Sequence, residues 1–521
     1  MPKVLQDRII WDADDFLSPQ EETSGGNYTR KIGNGATFID QVDPLRAVGY
    51  ISPSFNPSAA TNASQITAVL RNAVLKGNYS YIVSAGALLH RLELNTVAGN
   101  ILTSDATWPH TIAHGAHTGE TGSDCVPYYV GANHRLFYSF YDATDWDVGI
   151  YDFSTTFDDD FMSTVPASPL AAPYLTGGLG YPHPMIVGDD DVLYIGDRNF
   201  VHAYDGQVGA NGTFYPAVLT LPKGYVVTSF ARSDNNISLF IGSYYEHSAG
   251  ASTIYKGSAL VWEWDYLSLD PDRKYDLKDN YVSEIFNWNG TIAAFTNGRK
   301  TLAQTGEYKL QVLTSSGFAP VYTYSTGTLP IRGGVEVVQD DIYWNAGGKI
   351  YFYVKNPFTN SYFSGNISGS GSGTSGMLKM FRNTYQMHFS RGTGAGDGLF
   401  LMSDDYGESG TWDGKVVYPI FPNGKKGKIK QTDITFKAAV SGAGRTITVN
   451  TLIDGSSSTA VSAFTTITDM KKKIVLNRDD GTPLGDFVSI APELVWAGGT
   501  GATKCPQVEK IEIFYETINI E

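Results

Sequence analysis

Cysteine is nearly absent from this chain. Only Cys125 and Cys505 occur in 521 residues, 380 positions apart. That excludes a disulfide framework and a metal centre built from cysteines. Charge is sparse as well, with charged residues at 17% against a usual share of ~25%. Basic residues are the scarcer sign: 38 Lys+Arg face 53 Asp+Glu, a formal charge of −15. Such a surface repels phosphates and opposes general nucleic-acid binding. No apolar run approaches the ~18 residues of a membrane helix, so no membrane span is expected. Met1–Arg8 has no apolar h-region, so no signal peptide is expected either.

What the chain does have is 32 Tyr, 26 Phe, 56 Gly and 23 Pro. Aromatics fit a pleated surface, and Gly and Pro serve tight turns. The composition points to an all-β protein and away from coiled coils, helical arrays and disorder.

A pattern recurs along the first four-fifths of the sequence: apolar residues, a small or polar residue, a turn, then another apolar strand. The copies are Tyr81–Ser84, Leu136–Ser139, Leu193–Gly196, Leu239–Gly242, Ala293–Thr296, Ile342–Asn345 and Phe400–Ser403. They recur every 46 to 58 residues. Partner strands follow, most clearly Lys349–Tyr353 after the Gly347-Gly348 pair, whose positive φ a tight hairpin needs. A unit of this length built from hairpins matches a four-stranded propeller blade. An irregular β-propeller of six to eight blades is the expectation, with tandem β-sandwiches as the alternative.

Three regions are expected. Residues 1–48, acidic and Gly-rich, read as an extended N-terminal arm. Residues 49–414 form the propeller. Residues 415–521, with apolar alternation at Ile434, Phe436, Ala438 and Val440, form a small β-sandwich. The charge divides likewise: residues 415–521 carry 13 basic and 11 acidic groups, residues 1–414 carry 25 and 42. Within the propeller, residues 62–77 carry a helical apolar stripe in a strand-rich setting.

Candidate chemistry is thin. Ser403, Asp405, Gly407 and Trp412 resemble the Asp-box turn of sialidase-type propellers, with Trp412 displaced by two positions. In that family the box is structural. A sialidase would need an arginine triad, which no local signature marks among the 15 arginines. His110, His114 and His117 lie near Glu120 and Asp124 at a spacing that would converge on a metal were the segment helical, but Gly115, Gly119 and Gly122 argue for a polar loop with neutral imidazoles. Asp158–Asp160 and Gly188–Asp191 read as solvated acidic turns, lacking EF-hand spacing. The one basic cluster, Lys425, Lys426, Lys428 and Lys430, offers a charged face to a neighbouring subunit. The tryptophans, Trp108, Trp146, Trp262, Trp264, Trp288 and Trp344 among them, read mainly as core. No phosphate-binding loop, nucleophile elbow or cofactor motif is present. No cofactor, no metal and no enzymatic activity are expected.

The layout resembles the β-propeller tail proteins of tailed bacteriophages, in particular the tail nozzle or tail tubular class. The features are the arm leading into Ile39–Pro53, hairpins such as Asn287–Ile292, and the closing strand-rich region. The resemblance implies a structural virion protein assembled in the host cytoplasm. It also implies a ring, a hexamer, with other tail proteins as partners, through which DNA passes without specific binding. The alternatives are a carbohydrate-binding propeller that recognises host-surface glycans, and a glycan hydrolase.

Overall fold

The computed structural model describes residues 7–12, 38–40 and 58–59, then 62–366 apart from short loop segments, then the segments of strand between 375 and 518. The chain forms two compact units. One comprises Ser58–Gly348 and Gly371–Leu401; the other comprises Met1–Pro57, Lys349–Ser370 and Met402–Glu521. No described helix is long and apolar enough to cross a membrane.

Among the described residues the first unit is a β-propeller with six blades of four or five strands. Blade 1 is Leu70–Lys76, Tyr79–Ser84, Leu88–Asn95 and Gly99–Leu102, with His110–Thr111 added. Blade 2 is Thr121–Val130, Asn133–Tyr141, Trp146–Tyr151 and Phe157–Asp158. Blade 3 is Met185–Val187, Leu193–Asp197, Phe200–Asp205 and Thr213–Thr220. Blade 4 is Tyr225–Arg232, Leu239–Tyr245, Leu260–Trp264 and Arg273–Asp276. Blade 5 is Tyr281–Trp288, Thr291–Asn297, Tyr308–Thr314 and Gly317–Tyr324. Blade 6 is Leu378–Phe381, Gln386–Arg391 and Gly398–Met402, completed by Ser58–Ala59 from the start of the unit. That last pairing closes the ring with a strand from its opposite end, which removes a free sheet edge. Between blades 5 and 6 lies the hairpin Val335–Val338 with Asp341–Ala346. Its Trp344 packs on Phe295 of blade 5, and Asn345 Nδ2 donates to Ser390 O of blade 6 at 2.7 Å.

The second strands are buried on both faces, which is why they read as continuous apolar runs instead of alternating ones. Leu193–Asp197 is buried at every position, while the outer strand Arg273–Asp276 is mostly exposed. Cores form between adjacent blades. Trp146, Phe137 and Tyr128 of blade 2 pack with Leu193, Ile195 and Tyr204 of blade 3. Val201 and Leu219 of blade 3 pack with Ile241 and Trp262 of blade 4. Trp108, Trp146, Trp262, Trp264, Trp288 and Trp344 are all buried. At ~1.5–3 kcal/mol for each large apolar side chain removed from water, these interfaces hold the blades in their ring.

The recurring small or polar residue stitches blades together. Ser139 Oγ donates to His183 O at the entry to blade 3, at 2.7 Å. Ser390 Oγ accepts from Leu70 N across the ring closure, at 3.2 Å. Where the repeat has Gly196, an added Cβ would meet Val227 of blade 4 at 2.8 Å. The final copy differs from the expected one. Gly398–Met402 is the third strand of blade 6, so the equivalent of the other copies is Met387-His388-Phe389-Ser390. Two adjacent buried strands carry the same apolar pattern, and pattern alone does not rank them.

Residues 62–77 hold a short 3-10 turn, Ala63–Gln65, and then the strand Leu70–Lys76. Pairing with Tyr79–Ser84 overrides the helical spacing.

In the second unit the strands run Asp7–Asp12, Val508–Ile518, Phe421–Phe436, Phe487–Ala497, Gly414–Val417, Phe38–Asp40, Tyr362–Asn366 and Lys349–Lys355, each bonded to the next. The described strands of the N-terminal region pair within this unit: Ile9 lies opposite Ile513 and covers an edge of the last strand. The described C-terminal strands form one hydrogen-bonded network, with Thr446–Ile453 branching from Phe487–Ala497.

Candidate functional site

The first strands of the blades surround a central cavity of about 450 Å³. Arg71, Ser123, Tyr141, Pro184, Tyr281 and Arg332 contribute to its lining. Arg332 organises it. The residue sits on the turn after Pro330, and Gly333 follows with φ +76°. A Cβ at position 333 would stand 2.6 Å from Asn72 Oδ1 and 2.7 Å from Arg71 O, so only glycine lets this turn press against blade 1.

The Arg332 guanidinium ties four blades. Nε donates to Asp124 Oδ2 of blade 2 at 3.1 Å, and Nη2 donates to Met185 O of blade 3 at 2.9 Å. Nη1 donates to Phe230 O of blade 4 at 3.3 Å and to Glu284 Oε1 of blade 5 at 2.9 Å. Asp124 is fully buried and fully used: it also accepts from Asn72 Nδ2, from its neighbour Cys125 N and from Met185 N. Glu284 is 4% exposed and its Oε2 has no hydrogen-bond partner. Burial pushes its carboxyl up to about 8, against the downward pull of Arg332. The Arg332 guanidinium thus serves both carboxyls, while Glu284 Oε2 stays without a hydrogen bond. Neither the sequence position of Arg332 nor that of Glu284 marked them in advance.

A second polar group lies on blade 2. His110 Nε2 faces Asp159 Oδ1 at 3.0 Å, and its ring stacks on Phe157 with 3.9 Å between centroids. Tyr138 OH also bonds Asp159. His114 sits among three carboxylates: Nδ1 is 2.8 Å from Asp160 Oδ1 and 3.2 Å from Asp147 Oδ2, and Nε2 is 3.5 Å from Asp145 Oδ2. The Asp147 carboxylate above all pushes the imidazole up to about 9. For His114 this differs from the expected neutral imidazole. The geometry also corrects the reading of Asp158–Asp160 as a solvated turn, since the Asp159 side chain is 13% exposed and paired. Glu120 accepts from His114 N at 3.1 Å, whereas Asp124 belongs to the Arg332 network and not to this group. His117 lies outside the described residues.

The acidic turn Gly188–Asp191 is a hairpin turn, with Asp190 accepting from Tyr194 OH at 2.5 Å. Ser403, Asp405, Gly407 and Trp412 lie outside the described residues. Lys425, Lys426, Lys428 and Lys430 lie in the strand Phe421–Phe436, where Lys428 is exposed and stands opposite Glu516 in the neighbouring strand. A cleft lined by Phe200, Trp262, Arg198, Lys223 and Asp270 lies between blades 3 and 4. Trp262 is 6% exposed, so its faces are not open to a sugar ring.

No family model matches the chain, and no curated protein does. Solved structures share a remote likeness. One is the computationally designed Ika8 protein, at 10% identity and a TM-score of 0.39, covering 66% of this chain and 98% of that one. Another is the extracellular domain of the hybrid two component system BT4673 from B. thetaiotaomicron, at 10% identity and a TM-score of 0.42. That match covers 75% of this chain and 43% of the other.

Proposed function

We propose that this chain is a structural protein of a tailed-bacteriophage virion, a subunit of a tail ring through which DNA passes. One observation carries the assembly part of the reading. Leu267 and Leu269 stand 88% and 83% exposed on a single turn of blade 4. Hydrogen bonds fix the turn's shape: Asp265 Oδ1 accepts from Leu267 N at 2.9 Å and Ser268 N at 2.7 Å, and Trp264 Nε1 donates to Ser268 O at 2.7 Å. Two leucines held in water on a fixed turn each gain ~1.5–3 kcal/mol when a partner covers them, and such display favours subunit contact over a free monomer. The Arg332 network at the centre of the propeller adds support. With Arg332 spanning four blades, the propeller is a rigid block, and the DNA path would run between subunits. An acidic wall suits that path because it does not hold phosphates. The ring of the resemblance is a hexamer, with other tail proteins above and below.

The test is sedimentation of the purified chain beside Leu267→Ser/Leu269→Ser. The reading predicts self-association of the parent chain, dissociation of the variant, and the same strand content in both. A parent chain that stays monomeric, with both forms entering the source particle equally, overturns it.

A further inference from the structure

We propose that His114, Asp147 and Asp160 form a divalent metal site on blade 2, of the class that takes imidazole and carboxylate donors, such as Zn²⁺ or Co²⁺. His114 Nδ1, Asp147 Oδ2 and Asp160 Oδ1 all lie within 4.8 Å of one another. They come from separate elements. His114 follows the strand His110–Thr111, Asp147 lies in Trp146–Tyr151, and Asp160 precedes the helical turn Phe161–Thr164.

Asp147 is the independent sign of a ligand. Its side chain is 0% exposed, its Oδ1 accepts from Val148 N, and its Oδ2 makes no hydrogen bond of normal geometry while facing the cluster. A buried carboxylate oxygen without a hydrogen bond is costly. One proton on Nδ1 can serve Asp160 at 2.8 Å or Asp147 at 3.2 Å, but not both well. A cation at their centre serves all three donors at once. Asp145 Oδ2, 3.5 Å from Nε2, stands where an outer carboxylate holds the second ring nitrogen of a metal-bound histidine. Asp160 is 39% exposed, leaving one side open to water as a fourth ligand. The mixed nitrogen and oxygen donors favour a zinc-like ion over calcium, which prefers six to eight oxygens. Binding replaces the imidazole proton by the metal, and that proton leaves to solvent.

The test is titration of the untagged full chain with Co²⁺, followed by ligand-field absorption, with Zn²⁺ competition. One equivalent per chain should bind, and Zn²⁺ should displace it. His114→Gln should abolish the spectrum, and Asp160→Asn, a change at a partly exposed side chain, should weaken binding at least tenfold with unchanged circular dichroism. A parent chain without the spectrum overturns the site. So does a spectrum that survives both substitutions together, which would place the metal elsewhere.

Discussion

Arg332 donates from Nε to Asp124 Oδ2 at 3.1 Å, joining residues 208 positions apart across the centre of the propeller. Substituting Arg332→Met leaves Asp124 and Glu284 as buried acids without their cation. Breaking a buried pair from one side costs ~3–5 kcal/mol. Arg332→Lys restores the charge but not the fork of donors, and falls between. Urea unfolding monitored by tryptophan fluorescence measures both, and a variant within ~0.5 kcal/mol of the parent would contradict the role.

Glu284 sets a pH dependence. Its carboxyl is raised in the folded chain from 4.5 to about 8, so folding favours the protonated acid. The resulting stability is complete below pH 4.5 and is lost as pH rises towards 8. The melting temperature of the parent should therefore decline through this window, and Glu284→Gln should flatten the decline. A parent and variant with parallel pH profiles would argue against a protonated Glu284.

Gly333 is held at φ +76° against the blade 1 backbone. Gly333→Ala combines a strained backbone with a contact of 2.7 Å to Arg71 O. A loss of ~1–3 kcal/mol is expected, in the range of other strained positions. Gly317→Ala, at φ +110° with open space around it, isolates the backbone part of that cost. Thermal unfolding of the two variants separates steric from conformational strain.

Much of the propeller was legible in the sequence because its signals are local. Leu193–Ile195 and Leu239–Ile241 are buried on both faces and read as apolar runs. Asn289 and Gly290 adopt the positive φ of an Asn-Gly hairpin turn. The small residue ending each run, Ser139 for instance, was visible as a pattern, but its partner His183 was not. The centre was not legible. Arg332, Asp124 and Glu284 meet only because four blades close around them, and their sequence spacing carries no periodicity. The same holds for His114, whose neighbours Asp145, Asp147 and Asp160 arrive from a hairpin and a turn that no helical spacing connects.

Ring closure makes a separate prediction. Ser390 Oγ accepts from Leu70 N, and both are buried. Ser390→Ala strands that amide, at a cost of ~1–3 kcal/mol. Amide hydrogen exchange should rise first in Leu70–Lys76 and Gln386–Arg391, the two strands flanking the closure. Uniform exchange across all blades would mean that the ring does not open there.

Electron microscopy of the source particle, with the chain located by antibody labelling, tests the central claim most directly. The account predicts a ring of copies at the tail, with the Leu267 and Leu269 turn inside a subunit contact. Absence of the chain from the particle, or its presence only as isolated copies with that turn in solvent, would contradict the proposed structural role.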